Sequence, residues 1–157
     1  MSGKKHQYVA TIAWTGNPGE STSRLGNHSR NHEIAIKGKP TMLASSDPGF
    51  RGDPSRHNPE DLLVASLSAC HMLWYLSLCG QAGIEVRGYV DRAEGTMVED
   101  DSGGGKFARV VLKPEVVLAT GSDREAADAI HHDAHEKCFI SQSVNFPVTV
   151  EATYREG

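Results

Sequence analysis

NPEDLLVASLSACHMLWYLSLCG, residues 58–80, reads as a single helix that is apolar nearly all the way round. Asn58 suits the N-cap, and Pro59 suits the first helical position, where a missing N–H costs nothing. Glu60 and Asp61 stand at the positive end of the helix dipole, and Asp61 occupies the place of a capping-box acid. Gly80 and Gly83 mark the exit. Ser66, Ser68, His71 and Ser77 interrupt the apolar run, which makes this a buried core helix rather than a membrane span. Cys70 lies deep inside it, and a thiol in that position calls for a reason.

The flanking sequence sets the fold class. HQYVATIAW alternates as a first strand, and the polar, Gly/Pro/Ser-rich NPGESTSRLGNHSRN that follows is a loop. HEIAIKGKPTMLAS reads as a hairpin turned at KGKP, and SDPGFRGDPSRH is a second loop that leads into the helix. Beyond the helix, IEVRGYVDRAEGTMV is a long strand, EDDSGGGK turns it, and FARVVLKPEVVLA returns, with Pro114 implying a bulge or an edge. A Ser-x-x-Glu capping box at Ser122 and Glu125 announces a second helix that runs to about Cys138. FISQSVN is then a loop, and FPVTVEATYRE is a closing strand. Strands, helix, hairpin, helix, strand is the order of an α+β fold with an antiparallel sheet and two main helices.

Composition narrows the function. The chain has 157 residues, enough for one domain spanning 1–157 with a sizeable core. A net charge of −4 and the lack of any basic block argue against nucleic acid as a partner. MSGKKHQYVATIAW carries two lysines with no apolar run behind them, so it does not read as a signal peptide, and a cytoplasmic setting is expected. Three cysteines in such a setting are structural, metal-binding or redox-active rather than a disulfide scaffold.

Several residues could carry chemistry. Most free cysteines are small buried hydrophobes. Cys79, nine positions after Cys70, faces the opposite side of the helix, so one thiol can fill the core while the other lines a site. Cys138 falls at the end of the second helix, and two thiols on separate elements can pair if their Cα atoms come within about 7 Å. His131, His135 and Cys138 are spaced i, i+4, i+7 along one helix face, an arrangement open to zinc, although His132 shows this helix to be histidine-rich in any case. His71 adjoins Cys70 in sequence but points about 100° away from it. Arg51 and Arg56 precede the apolar helix. An arginine beside a buried thiol lowers its pKa, and a carboxylate such as Glu60 can hold the guanidinium through a bidentate pair.

NPEDLLVASLSACHMLWYL together with CFISQSVNFPVTV resembles the OsmC/Ohr family, named for osmotic induction and organic-hydroperoxide resistance. The likeness covers nearly the whole chain, and with SSDPGFRGD and SACHMLWYL it looks most similar to an OsmC-like subgroup. The resemblance implies an intertwined homodimer that acts as a thiol peroxidase. It implies that Cys70 attacks the hydroperoxide, that Cys138 resolves the sulfenic acid into a disulfide, and that Glu60 holds an activating arginine. It further implies recycling by a dithiol reductant such as a lipoylated protein, with no metal and no bound cofactor. In the family the arginine lies in an R-F-x-G type segment. Here the segment is GFRGD, so Gly49 stands in its place and Arg51 is the nearest substitute, followed by Arg56, Arg24 and Arg30.

The apolar helix would then supply the pocket for an organic tail, with Phe50, Leu67, Leu73 and Trp74 as walls. Two other readings use the same residues: a zinc protein built on His131, His135 and Cys138, and a non-enzymatic binder of a small apolar ligand lined by Cys70. Helix geometry adds one expectation. Glu60 and Cys70 are ten residues apart, about 15 Å along one helix axis, too far for Glu60 to serve its own Cys70. An antiparallel pairing of two such helices near Ala65 and Ser66, across the small residues of ASLSA, would bring Glu60 of one chain level with Cys70 of the other. The plainer reading is that the small residues admit a strand and that Glu60 only caps its helix.

Overall fold

The computed structural model describes residues 3–17, 22 and 28–157, and the chain divides into two compact units, the first ending at Leu62 and the second beginning at Leu63. In the first unit, β1 (Thr11–Trp14), β2 (His32–Ala35) and β3 (Met42–Ala44) form an antiparallel sheet in that order. The KGKP hairpin lies as expected, with Gly38 at φ 79° allowing the turn. Ala44 and Ser45 are buried, and the Ser45 N–H donates to His57 O at 2.9 Å.

The second unit is built on α1 (Pro59–Gln81), which begins in the last residues of the first. Its start follows the sequence: Asn58 Oδ1 accepts from the Asp61 N–H at 2.8 Å. Its end does too, since Gly83 takes φ 73° and lets the Ile84 N–H reach Cys79 O at 2.9 Å. By length and composition alone α1 could cross a membrane. Within its unit, however, it buries a line of residues at i, i+4 spacing: Leu67, His71, Tyr75 and Cys79. A second line, Asp61, Ala65, Ala69, Leu73 and Ser77, is exposed.

Against α1 lies a bent sheet. β4 (Val86–Asp91) and β5 (Glu94–Glu99) are one run of chain interrupted at Arg92–Ala93, and β6 (Gly105–Leu112) and β7 (Pro114–Leu118) are another interrupted at Lys113. β8 (Val148–Val150) and β9 (Thr153–Glu156) form a third run, interrupted at Glu151–Ala152. The halves pair as β4-β7-β9 and β5-β6-β8. Pro114 is thus in the middle run, buried, at the bend; its missing N–H falls where the ladder is broken anyway, so it marks neither an edge nor a bulge. Asp91 fastens the bend, accepting the Lys113 N–H at 2.7 Å on Oδ1 and the Ser68 hydroxyl of α1 at 2.5 Å on Oδ2. Gly95 admits α1 closely: a Cβ there would stand 2.6 Å from Val64 Cγ2.

The α+β class holds, with one refinement. β4–β7 and β5–β6 are antiparallel, whereas β6–β8 and β7–β9 are parallel. The physical reason is α2 (Arg124–Lys137), which carries the chain back across the sheet and returns it in the same direction. The N-cap of α2 is Asp123, whose side chain accepts from the Ala126 N–H at 3.0 Å, one residue after the expected Ser122. Gly121, at φ 81°, and the Ser122 N–H bond to Ala119 O at 3.1 Å make a turn that leaves Asp123 as the last extended residue. Two apolar clusters result. Tyr75, Cys79, Val116, Leu118, Ala127, Ile130 and Ala134 form one, and Leu67, Val110, Leu112 and Val148 form the other.

Candidate functional site: a thiol pair beside an apolar patch

Cys70 sits at the middle of α1, half-buried, and Cys138 is the C-cap of α2, wholly buried. The two thiols lie side by side. Burial and the adjacent Cys138 thiol push the Cys70 thiol up, and the main-chain N–H groups of Ile140 and Phe139 pull it back. The Cys138 sulfur accepts from the Ser141 N–H at 3.4 Å. Cys79 stands apart, in the first core cluster, where burial pushes its thiol up and the Tyr75 hydroxyl opposes this.

An apolar surface flanks the pair. Leu73 and Trp74 follow Cys70 at i+3 and i+4 and so share its side of the helix. Trp74 meets Phe139 edge to face, with ring centroids 5.9 Å apart, and the Lys137 ammonium lies 5.8 Å from the Trp74 ring. Leu73 and Phe139 are exposed. Leu67 belongs to the core instead of a pocket wall, fully buried against Val110 and Leu112. Phe50, in the first unit, is exposed at the end of a short 3-10 turn, Pro48–Phe50.

The polar candidates of the first unit are placed as follows. Glu60 is in the first turn of α1, and the helix runs unbroken from there to Cys70. Arg51 is exposed and caps the Pro48–Phe50 turn in the left-handed region, φ 64°, which a non-glycine residue seldom adopts. Arg56 is half-buried; its Nε is 3.5 Å from Asp53 Oδ2, while its Nη1 is buried with no acceptor. Arg30 donates from Nη1 to His28 O. Arg24 is outside the described residues.

The histidines do not gather as a metal site. Among the described residues no group of three or more potential ligands is close enough to hold an ion, so His131, His135 and Cys138 are not brought together as a donor set. His131 turns inward, and its Nδ1 is 2.8 Å from His71 Nε2. The two rings lie within 5° of parallel with centroids 5.1 Å apart, and Tyr75 stacks on the His131 ring at 3.9 Å. Burial pushes both histidines down to about 4. This pair had no signal in the sequence beyond one histidine on each helix, because register between helices is not written in either.

The OsmC-like protein profile matches residues 52–153. This chain belongs to the OsmC-like family. An OsmC-like protein of unknown function from Vibrio cholerae is 31% identical over 95% of this chain and 100% of its own, with a TM-score of 0.85. An organic hydroperoxide resistance protein, OsmC, of Legionella pneumophila is 17% identical over 97% of this chain and 98% of its own, with a TM-score of 0.67. One from Elizabethkingia anophelis is 20% identical over 98% and 100%, with a TM-score of 0.65. At those identities the last two likenesses speak for the fold alone. A comparison with curated proteins found no match.

Proposed function

We propose that this OsmC-like protein is a thiol peroxidase that reduces organic hydroperoxides. The observation that carries the reading is the pair itself: a half-buried Cys70 against a wholly buried Cys138, beside the apolar surface of Leu73, Trp74 and Phe139. The attacking sulfur must be reachable and the resolving sulfur need not be, which supports Cys70 in the first role and Cys138 in the second. The Cys70 thiolate attacks the distal peroxide oxygen; an S–O bond forms, the O–O bond breaks, and the alkoxide leaves and takes up a proton as the alcohol. The sulfur has given two electrons and is a sulfenic acid. The Cys138 sulfur then attacks it, the S–S bond forms, and water departs with the Cys138 proton. A dithiol restores both thiols by exchange and leaves as its own disulfide.

Glu60 and an arginine complete the site in this reading. Arg51 is the nearest arginine to the family position in sequence. What supports Arg56 over it is the buried guanidinium nitrogen that lacks an acceptor. The exposed stripe of α1, with alanines at 65 and 69, suits a close two-fold crossing that sets Glu60 of one chain beside Cys70 of the other. Mixing Glu60→Ala and Cys70→Ser subunits tests that: heterodimers should regain activity, and none returning although heterodimers form would exclude a shared site.

The deciding experiment is coupled turnover. Cumene hydroperoxide should be consumed faster than hydrogen peroxide, with dihydrolipoamide a better reductant than thioredoxin or glutathione. Cys70→Ser should abolish it. Peroxide that leaves all thiols titratable would instead favour a binder of a small apolar ligand.

A further inference from the structure

α1 and α2 each bury a histidine, and the two meet. His71 Nε2 lies 2.8 Å from His131 Nδ1, with the rings within 5° of parallel and their centroids 5.1 Å apart. Nitrogens that close in nearly parallel rings put the rings edge to edge, as a hydrogen bond requires, and not face to face. Among the described residues this is the one side-chain hydrogen bond that joins α1 to α2. Stability alone does not explain it. Whichever ring donates, one lone pair and one N–H remain, on His71 Nδ1 and His131 Nε2, and both atoms are buried without a partner. Two apolar side chains of similar shape would leave no such groups and would hold the helices about as well.

What the pair adds is direction. Around it, Tyr75, Cys79, Ala127, Ile130 and Ala134 pack as apolar groups. Such contacts are non-directional and tolerate several offsets of one helix on the other. A hydrogen bond of 2.8 Å tolerates one: a slip of a helical turn, about 5.4 Å, breaks it. Fixing residue 71 against residue 131 also fixes what the two helices carry beside them. Cys70 is the neighbour of His71, and Cys138 follows His131 by two turns on the same side of α2. A second contact, Trp74 on Phe139 at 5.9 Å between centroids, ties the same two stretches at the surface.

We propose that the His71–His131 hydrogen bond sets the register of α2 on α1, and that the two histidines are thereby positioning residues for the thiol pair, holding Cys138 where it can close on the Cys70 sulfenic acid. The inference rests on Cys70 and Cys138 being the attacking and resolving sulfurs. Neither ring touches peroxide or takes part in the exchange. Their contribution is the effective concentration of one thiol at the other.

The test separates register from stability. The readout is the equilibrium between the Cys70–Cys138 disulfide and dithiothreitol at pH 7, with each thiol counted by alkylation and peptide mass, beside urea unfolding of the reduced protein. His71→Met/His131→Met removes the bond and keeps the core apolar. It should leave the urea midpoint level or higher and lower the disulfide equilibrium constant about tenfold, which is about 30 mV for a two-electron couple. His71→Gln/His131→Gln can remake a donor–acceptor contact and should restore the constant. Ile130→Ala weakens the same core without touching the bond, and should lower the midpoint but not the constant. Should the methionine pair not fold, thienylalanine in place of His131 keeps the ring on Tyr75 without its hydrogen bond, and the same tenfold loss is expected. An unchanged constant in the methionine or thienylalanine protein, or an equal fall in the glutamine pair or in Ile130→Ala, overturns the positioning role and leaves the peroxidase reading standing. Peroxide consumption that survives Cys70→Ser overturns the reading beneath it.

Discussion

Acid should unfold this protein through the His71–His131 pair. The two rings are 2.8 Å apart through Nε2 and Nδ1, and that contact needs one nitrogen to donate and the other to accept. Two neutral rings satisfy it; two imidazolium rings cannot. His71 faces His135 of α2 and Asp91 of β4, and His131 faces Asp128 and lies on Tyr75. Both are pushed down by burial to about 4 from an ordinary 6.5. The folded value is the lower one, so between pH 6.5 and pH 4 the unfolded chain binds more protons. The stability contributed by the neutral pair is present above pH 6.5 and is lost as pH falls toward 4. From pH 7 to pH 5 each histidine forfeits about 2 kcal/mol and the pair about 4 kcal/mol, a large part of a typical domain's stability of about 5–15 kcal/mol. The perturbation is the double variant His71→Gln/His131→Gln, which can keep a hydrogen bond and does not titrate. The assay is urea unfolding at pH 7, 6 and 5. Wild type should lose about 4 kcal/mol more than the double variant over that range. Equal losses in the two proteins would refute the reasoning.

Asp91→Ala removes the acceptor of both Ser68 and the Lys113 N–H and should cost about 2–3 kcal/mol in urea unfolding; a loss within error would mean the bend is held by packing alone. Asp123→Ala should cost about 1 kcal/mol and Ser122→Ala almost nothing, and the reverse order would return the α2 cap to Ser122. Cys138→Ser should release one equivalent of alcohol from cumene hydroperoxide and then accumulate sulfenic or sulfinic acid on Cys70, read by intact mass. Loss of that first equivalent as well would exchange or merge the two roles. In wild type the same treatment should join Cys70 to Cys138 and leave Cys79 free, by peptide mapping.

Both ends of α1 were legible because local rules act alone there. Asn58, Pro59 and Gly83 fix where α1 starts and stops without help from distant residues. The α2 cap came out one residue late because Ser and Asp cap equally well, and the choice was made by the turn at Gly121. The bend was hidden, since Val110, Leu112, Pro114, Val116 and Leu118 keep a period of two straight through it. Strand sequence reports which face is buried, not which neighbour is parallel, so the β8 and β9 pairings were not legible either. At the site, the two cysteines stood out through their family resemblance. The histidine pair did not, because it depends on register between helices.

The parallel pairing of β8 and β9 with the middle run has a bearing on how the molecule forms. Paired residues such as Val110 and Val148 are about 40 residues apart in sequence, and such contacts slow folding because a long loop must close first. Until it closes, β6 and β7 present a bare strand edge to other chains. The segment bearing Cys138 lies inside that loop, between α2 and β8. Cys70 therefore comes against Cys138 only at the slow step, and a refolding chain brings the two thiols together along with its last pair of strands.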